Sequence, residues 1–229
     1  MTDAHCHVSC GDPGVRELIV GRDFFGVHPW ETIDGTIETG GTTGTRILDE
    51  LRSKLLANPR AGVGEIGLDR LKMRDIPPCM REVFEAQLAL AFELNRPVVL
   101  HGAKCWGQVV AAIRKLTTNN SQLTTFLFHG FSRSDGLIPD IVKLSGFISV
   151  GPAVLNDHAV NYRELVKKIP LDRLLVETDR DKEEAVGAPE DRRPHIRDVL
   201  EKTAEILGMS AAELERITDD NADRFLGVV

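Results

Sequence analysis

Gly62-Val63-Gly64-Glu65-Ile66-Gly67-Leu68, the helical-period segment Met80–Leu94 and then Pro97-Val98-Val99-Leu100-His101 form a strand–helix–strand unit that recurs along the chain. The flanking runs are brief and continuous in apolar character, as expected of parallel strands covered on both faces. Between them, Val83, Phe84, Leu88 and Ala91 fall on one helical stripe. Working outward, Thr2–Val8, Phe24–His28, Thr125–Phe131, Phe147–Gly151 and Leu174–Asp179 read as further strands. Ile47, Leu48, Leu51 and Leu55 in Arg46–Ala57 make another stripe, as do Val110, Ile113 and Leu116. Ser210 with Glu213 reads as a capping box opening a helix through Ile217. Alternation of this kind means a parallel sheet, either a closed barrel or an open doubly wound sheet.

One stretch breaks the rhythm. Gly14–Trp30 holds two apolar runs, Leu18–Val20 and Phe24–Val27, separated by three residues. A parallel crossover takes about a dozen residues. Either the first run is a short helix or loop, or both form one strand. The expected architecture is therefore an α/β fold, a TIM-type (β/α) barrel whose second strand is missing or badly degraded. The 229 residues suit one such barrel, and no linker, charge block or low-complexity tract divides them. A single domain over 1–229 is expected.

Composition narrows the function. The chain is 42% hydrophobic but only 5% aromatic, so its core should be mainly Val, Leu, Ile and Ala. A net charge of −7 argues against coating nucleic acid by electrostatics alone. It leaves a nuclease possible, because bound divalent cations would reverse the field over a small cleft. The N-terminus carries no secretory pattern, no apolar run reaches membrane-span length, and Cys6, Cys10, Cys79 and Cys105 show no CxxC pairing. Reduced thiols in a cytoplasmic protein are expected.

The residues that carry chemistry lie at strand ends. His5 and His7 in Asp3-Ala4-His5-Cys6-His7 are two apart on a strand, share a face and can grip one metal. Glu65 lies in the third run, and His101, His129 and Asp179 end three others. Potential ligands thus mark five strands near the end where barrel enzymes keep their catalytic groups. A lone strand-end histidine is commonly just hydrogen-bonded; the whole set is hard to explain that way.

His5-Cys6-His7, Gly26-Val27-His28-Pro29, Gly64-Glu65-Ile66-Gly67-Leu68-Asp69, Pro97–His101, Phe128-His129-Gly130-Phe131-Ser132 and Glu177-Thr178-Asp179 resemble, in order, the motifs of the TatD-like metal-dependent deoxyribonucleases. These belong to the amidohydrolase barrel superfamily. The resemblance runs to Asn221-Ala222-Asp223-Arg224-Phe225, which looks like that family's terminal helix. It implies that His5, His7 and Asp179 hold one divalent cation (Mg, Mn or Zn), that His101 and His129 hold a second, and that Glu65 bridges them. It further implies two-metal hydrolysis by a water of lowered pKa, with Glu65 and Asp179 catalytic and Asp179 the general base. His28 and Lys104 are candidate substrate contacts.

The chain also departs from the family. The region between His7 and Gly26, where the second strand and first helix belong, is short. Lys104 stands where an arginine is common and lacks its bidentate fork. Arg70 follows Asp69 in place of an aromatic residue, and Arg180-Asp181 replaces a residue-proline pair. Of the other candidates, His158 and His195 read as solvated and Glu177 as a buried carboxylate under the site; Trp30 and Trp106 read as packing over the mouth or as stacking on a base, and Arg192-Arg193-Pro194 as lining the cleft, as the family segment it resembles implies, or as a surface turn. The implied activity is a 3′-5′ exonuclease-type deoxyribonuclease, a monomer with DNA as substrate rather than stable partner and no membrane association. The alternatives are an amide, lactone or phosphotriester hydrolase on the same metal core, and a catalytically silent barrel. A carboxylated lysine often bridges the metals in hydrolases of that second kind, and Glu65 in that position favours the phosphodiesterase.

Overall fold

The computed structural model describes residues 1–32, 42–71, 73–117, 124–181 and 194–228. Among the described residues, eight strands carry the fold: β1 (Thr2–Cys6), β2 (Arg16–Ile19), β3 (Phe24–Phe25), β4 (Gly62–Asp69), β5 (Val98–Ala103), β6 (Phe126–Phe128), β7 (Gly146–Val150) and β8 (Leu174–Val176). All pairings are parallel. β1 pairs with β2, and β3 through β8 form a six-stranded sheet in chain order. A Val20–Phe24 bridge joins the two sheets. On the other side, Asp179 N–H donates to His5 O (3.0 Å) and His7 N–H to Arg180 O (2.8 Å), bringing β8 against β1. The ring closes as a (β/α) barrel.

Helices α1 (Thr42–Ala57), α2 (Pro78–Glu93), α3 (Trp106–Thr117), α4 (Ile138–Lys143) and α5 (Val160–Val166) lie between the strands from β3 onward, and α6 (Ile196–Leu207) and α7 (Ala211–Leu226) follow β8. Ser210 caps α7, its hydroxyl accepting from Glu213 N–H, and the helix runs past the expected Ile217 to a glycine cap at Gly227. No helix among the described residues is long and apolar enough to cross a membrane.

The abbreviation falls where the sequence placed it, but the Leu18–Val20 run is neither helix nor loop. It is strand, and so is the run after it, which corrects the expectation that two parallel strands cannot be joined over three residues. The dozen-residue crossover is the cost of carrying a chain back to where the previous strand began. Here nothing is carried back: β2 ends level with the start of β3, and the chain sidesteps one strand spacing. Gly21, at φ +87°, makes the step and donates its N–H to Phe24 O (2.8 Å), while Asp23 accepts from Ile19 N–H (2.8 Å). Neither residues 7–15 nor residues 20–23 contain a helix.

The barrel interior sets the height of the site. Ala4, Leu18, Phe24, Val99, Leu127, Phe147 and Leu175, from seven of the strands, form one apolar cluster with Ala222 and Phe225 of α7. Phe225 stacks on Phe24 with ring centroids 5.8 Å apart and plugs the bottom. Alternate strand residues such as Val98, Leu100, Phe126, Phe128, Leu174 and Val176 face the helices. With a side-chain period of two, the residues one step above the plug are His101, His129, Ser149 and Glu177. Polar chemistry begins directly on an apolar floor.

Candidate metal centre

Glu65 organises the mouth. It lies mid-strand in β4, 3% exposed, and its two carboxylate oxygens face different groups of histidines. Oε2 is 3.5 Å from His5 Nε2 and 3.4 Å from His7 Nε2. Oε1 is 2.7 Å from His101 Nδ1, 2.6 Å from His129 Nε2 and 3.5 Å from His28 Nε2. Asp179 completes the first group, its Oδ1 standing 3.4 Å from His5 Nε2 and 3.7 Å from His7 Nε2. All six residues expected to bind metal, and His28, are therefore brought together.

Local sequence explains the placement. Gly67 lets β4 approach β5 closely, since a Cβ there would sit 2.0 Å from His101 O. Residues 26–28 are held over the strand by Gln87 of α2, which accepts from Val27 N–H (2.7 Å) and donates to Val27 O (3.1 Å). Asp179 adopts φ +49°, a left-handed conformation that aspartate tolerates better than most residues. Its backbone bonds β1 while its carboxylate stays at the rim.

The electrostatics of the cluster oppose burial. Burial disfavours a charged His5, yet Asp179 and Glu65 outweigh it and hold the imidazole well above its usual pKa. Burial likewise resists ionisation of Glu65, but His129, His101 and His28 pull it well below the carboxylate range. His101, against burial, is raised to about 9 by Asp69 and Glu65.

The donor set fits a metal. Both ring nitrogens of fully buried His5 lack a hydrogen-bond partner, and an orphaned buried imidazole is costly unless something else fills the role. Nδ1 of His129 is also without one. Three overlapping triads come within common ligand reach: His5–Glu65–His129, His5–His7–Asp179 and His28–Glu65–His101. Imidazole and carboxylate donors of this kind suit Mg, Mn or Zn.

Around the cluster, Glu177 is buried beneath the mouth as expected, accepting from Gly130 N–H (2.7 Å) and from Ser149 Oγ. Lys104 is exposed at the lip of a cleft of about 610 Å³ that also reaches His101, His129 and Asp179. A second cleft, about 780 Å³, lies beyond Gly130 and also reaches Asp179. Arg133, at φ +57°, borders both clefts. Trp106 is packing, with its ring against Phe128 and Phe131. His195 is the N-cap of α6, accepting from Arg197 N–H (3.1 Å). His158 is exposed, and Arg192 and Arg193 lie outside the described residues.

Asp69 is the residue the motif reading left without a role. Its Oδ2 is 2.9 Å from His101 Nε2 and accepts from Trp30 Nε1–H (2.8 Å), and its Oδ1 accepts from Leu71 N–H (2.6 Å). The signal was present: Glu65, Gly67 and Asp69 are spaced two apart on one strand, which puts both carboxylates on the same face.

A parallel (β/α) barrel with a carboxylate-centred histidine cluster at the C-terminal ends of its strands defines a metal-dependent hydrolase. The family profile described as TatD related DNase matches residues 21–227, and the chain belongs to that family. The metal-dependent hydrolase YabD of Bacillus subtilis strain 168 is 28% identical over 218 residues, covering 93% of this chain and 81% of that protein. The 3′-5′ ssDNA/RNA exonuclease TatD of Pectobacterium atrosepticum is 31% identical over 189 residues, covering 78% and 70%. The crystal structure of YJJV, a TatD homolog from Escherichia coli K12, shares the fold with a TM-score of 0.72 at 22% identity, over 96% of this chain and 79% of that one.

Proposed function

We propose that this hydrolase cleaves phosphodiester bonds, removing nucleotides from the 3′ end of single-stranded DNA. The observation that carries the reading is the two-sided environment of Glu65. One oxygen faces His5 and His7 and the other faces His101 and His129, so this carboxylate would serve both of two cations. His5, His7 and Asp179 would hold one cation and His101 with His129 the other. Bound divalent cations would supply Lewis acidity, neutralising charge on a phosphoryl group and making water a better nucleophile.

The protein's own groups then have defined tasks. Asp179, at the rim, is held below the usual aspartate pKa by His5 and His129 against the effect of burial. It is thus ionised at neutral pH and placed to take a proton from an attacking water. Lys104 offers a positive charge at the lip, where a phosphate beside the scissile one would lie. The apolar floor excludes solvent from below. Two clefts meeting at Asp179 give room for a nucleotide on either side of the cleaved bond. The similarity to the 3′-5′ ssDNA/RNA exonuclease TatD of Pectobacterium atrosepticum supports a single strand as substrate.

The test is to strip the protein with chelator, reload it with Mg, Mn or Zn, and assay single-stranded DNA with free or blocked 3′ ends. A generic phosphodiester and an amide run alongside. The expected result is metal-dependent nucleotide release that a 3′ block abolishes. Cleavage of the amide alone would move the chain to the amidohydrolase reading.

A further inference from the structure

His28 and His101 are neighbours in the mouth, with ring centroids 4.8 Å apart, and each points one nitrogen at Glu65 Oε1. Distance alone would make both metal ligands. Their outward-facing nitrogens say otherwise.

The Nε2 of His101 meets Asp69 Oδ2 at 2.9 Å. A carboxylate can only accept, so that nitrogen carries a proton. The inward Nδ1 faces Glu65 Oε1 at 2.7 Å and by the same rule carries a proton while no cation is bound. A cation taking that place would displace the inner proton, Asp69 would keep the one on Nε2, and the lone pair would be turned inward. At His28 the outward nitrogen is Nδ1, and it accepts the backbone N–H of Trp30 at 3.2 Å. An amide N–H can only donate, so Nδ1 is bare and the proton sits on Nε2. His28 therefore presents an N–H to the site, and a nitrogen bearing a proton cannot ligate a cation.

Both contacts pass through one residue. The backbone N–H of Trp30 fixes His28, and its indole Nε1–H fixes Asp69, the carboxylate that fixes His101. The indole is 41% exposed and also lies edge-on to His28 and His101, with ring centroids 5.0 and 6.4 Å away.

We propose that Trp30 and Asp69 are positioning residues that turn two adjacent histidines opposite ways, His101 with its lone pair toward a cation and His28 with its N–H toward an anionic substrate oxygen. The divalent cation and the phosphoryl oxygen invoked here rest on the reading of the preceding section. His28 thus belongs to substrate binding although it stands within ligand distance of Glu65 and His101. Asp69 acts through His101, since its oxygens are occupied by Trp30, Leu71 and His101.

The test uses the full chain and a readout independent of turnover: Mn²⁺ and Zn²⁺ affinity by competition with a chromophoric chelator. Asp69→Ala is expected to weaken binding by about 10- to 100-fold, the usual effect of losing the partner of a ligating histidine. Trp30→Phe keeps the ring but loses the indole donor, and should give a smaller loss in the same direction. His28→Ala should leave metal affinity within about twofold of wild type while raising KM for DNA, with His28→Gln, which retains an N–H, recovering part of it. In the Zn²⁺-loaded protein, ¹⁵N spectra of the imidazoles should show His28 protonated at Nε2 and bare at Nδ1. A His28→Ala variant that loses metal as severely as Asp69→Ala, a His28 ring bare at Nε2, or unchanged affinity in both Asp69→Ala and Trp30→Phe would overturn the assignment. A wild-type protein that binds no metal would instead remove the reading on which it rests.

Discussion

The two sides of this barrel are built to different standards. From β4 to β8 the chain follows the regular plan of strand, crossover and strand, with helices covering the sheet. From β1 to β3 the strands are joined without helices, by a loop over residues 7–15 and a sidestep over residues 20–23, and β3 is only two residues long. Yet His5, His7 and His28 come from the abbreviated side and meet Glu65, His101, His129 and Asp179 from the regular side or from its junction with β1. A barrel site needs strand ends at the right height and spacing, and it tolerates loss of the helices that usually bring strands there. In the mouth, Glu65 faces both sides, Oε2 toward His5 and His7 and Oε1 toward His101 and His129.

The sharpest way to break the comparison is to remove that carboxylate. Glu65→Ala should lower metal-dependent hydrolysis by roughly 10³-fold, the loss of several kcal/mol of metal-held charge stabilisation. Metal stoichiometry by calorimetry should fall with it, whereas His7→Ala, on the abbreviated side, should lose one cation and keep the other. Activity that survives Glu65→Ala would show that the cluster is not the site.

Stability offers the next contrast. Leu127 of β6 and Leu18 of β2 occupy the same interior cluster, but Leu127 has paired strands on both sides. Leu127→Ala should cost about 3–4 kcal/mol and Leu18→Ala about 2 kcal/mol in denaturant unfolding, since the irregular side can relax into the cavity. Equal losses would mean that the side without crossover helices is as tightly held as the side that has them.

Proton linkage gives a smaller effect. A histidine must lose its proton to ligate, and in the metal-free cluster His5 is held well above its usual pKa and His101 at about 9. Affinity should therefore rise with pH, by up to about tenfold per unit for each histidine that gives up a proton, and the His101 share should flatten above pH 9, with proton release measurable by calorimetry in two buffers. Affinity independent of pH from 6 to 9 would contradict this.

The least change is expected where β8 meets β1. Asp3 is buried, accepts from Thr178 N–H (2.9 Å) and Thr178 Oγ1–H (2.6 Å), and is raised by burial to about 7. A carboxylate whose folded pKa is raised binds its proton more tightly when folded, so its contribution favours the fold at acid pH. That contribution is lost as pH climbs from about 4 through 7. Asp3→Asn should remove this slope from the stability–pH curve at a cost of about 1 kcal/mol, one neutral hydrogen bond.

What the sequence made legible follows the same division. Glu65, His101, His129 and Asp179 could be read because each is a rare polar residue in or just after an apolar run, and His5-x-His7 because the strand period fixes its geometry. β2 and β3 could not, since a sidestep and a loop look alike until Val20 is seen beside Phe24. Asp69 was passed over because the Gly64–Asp69 motif directs attention to its glutamate, and hydrogen bonds to Trp30 and His101 span 39 and 32 residues. Which end of His28 faces inward depends on one backbone N–H, a matter of turn geometry that no residue pattern records.

The most direct measurement is anomalous diffraction from crystals of the wild-type protein soaked in Mn²⁺. Two peaks are predicted, one among His5, His7 and Asp179 and one beside His101 and His129, both within ligand distance of Glu65 and neither bonded to His28. A mouth free of anomalous density at saturating Mn²⁺, or a peak coordinated elsewhere in the barrel, would contradict the account.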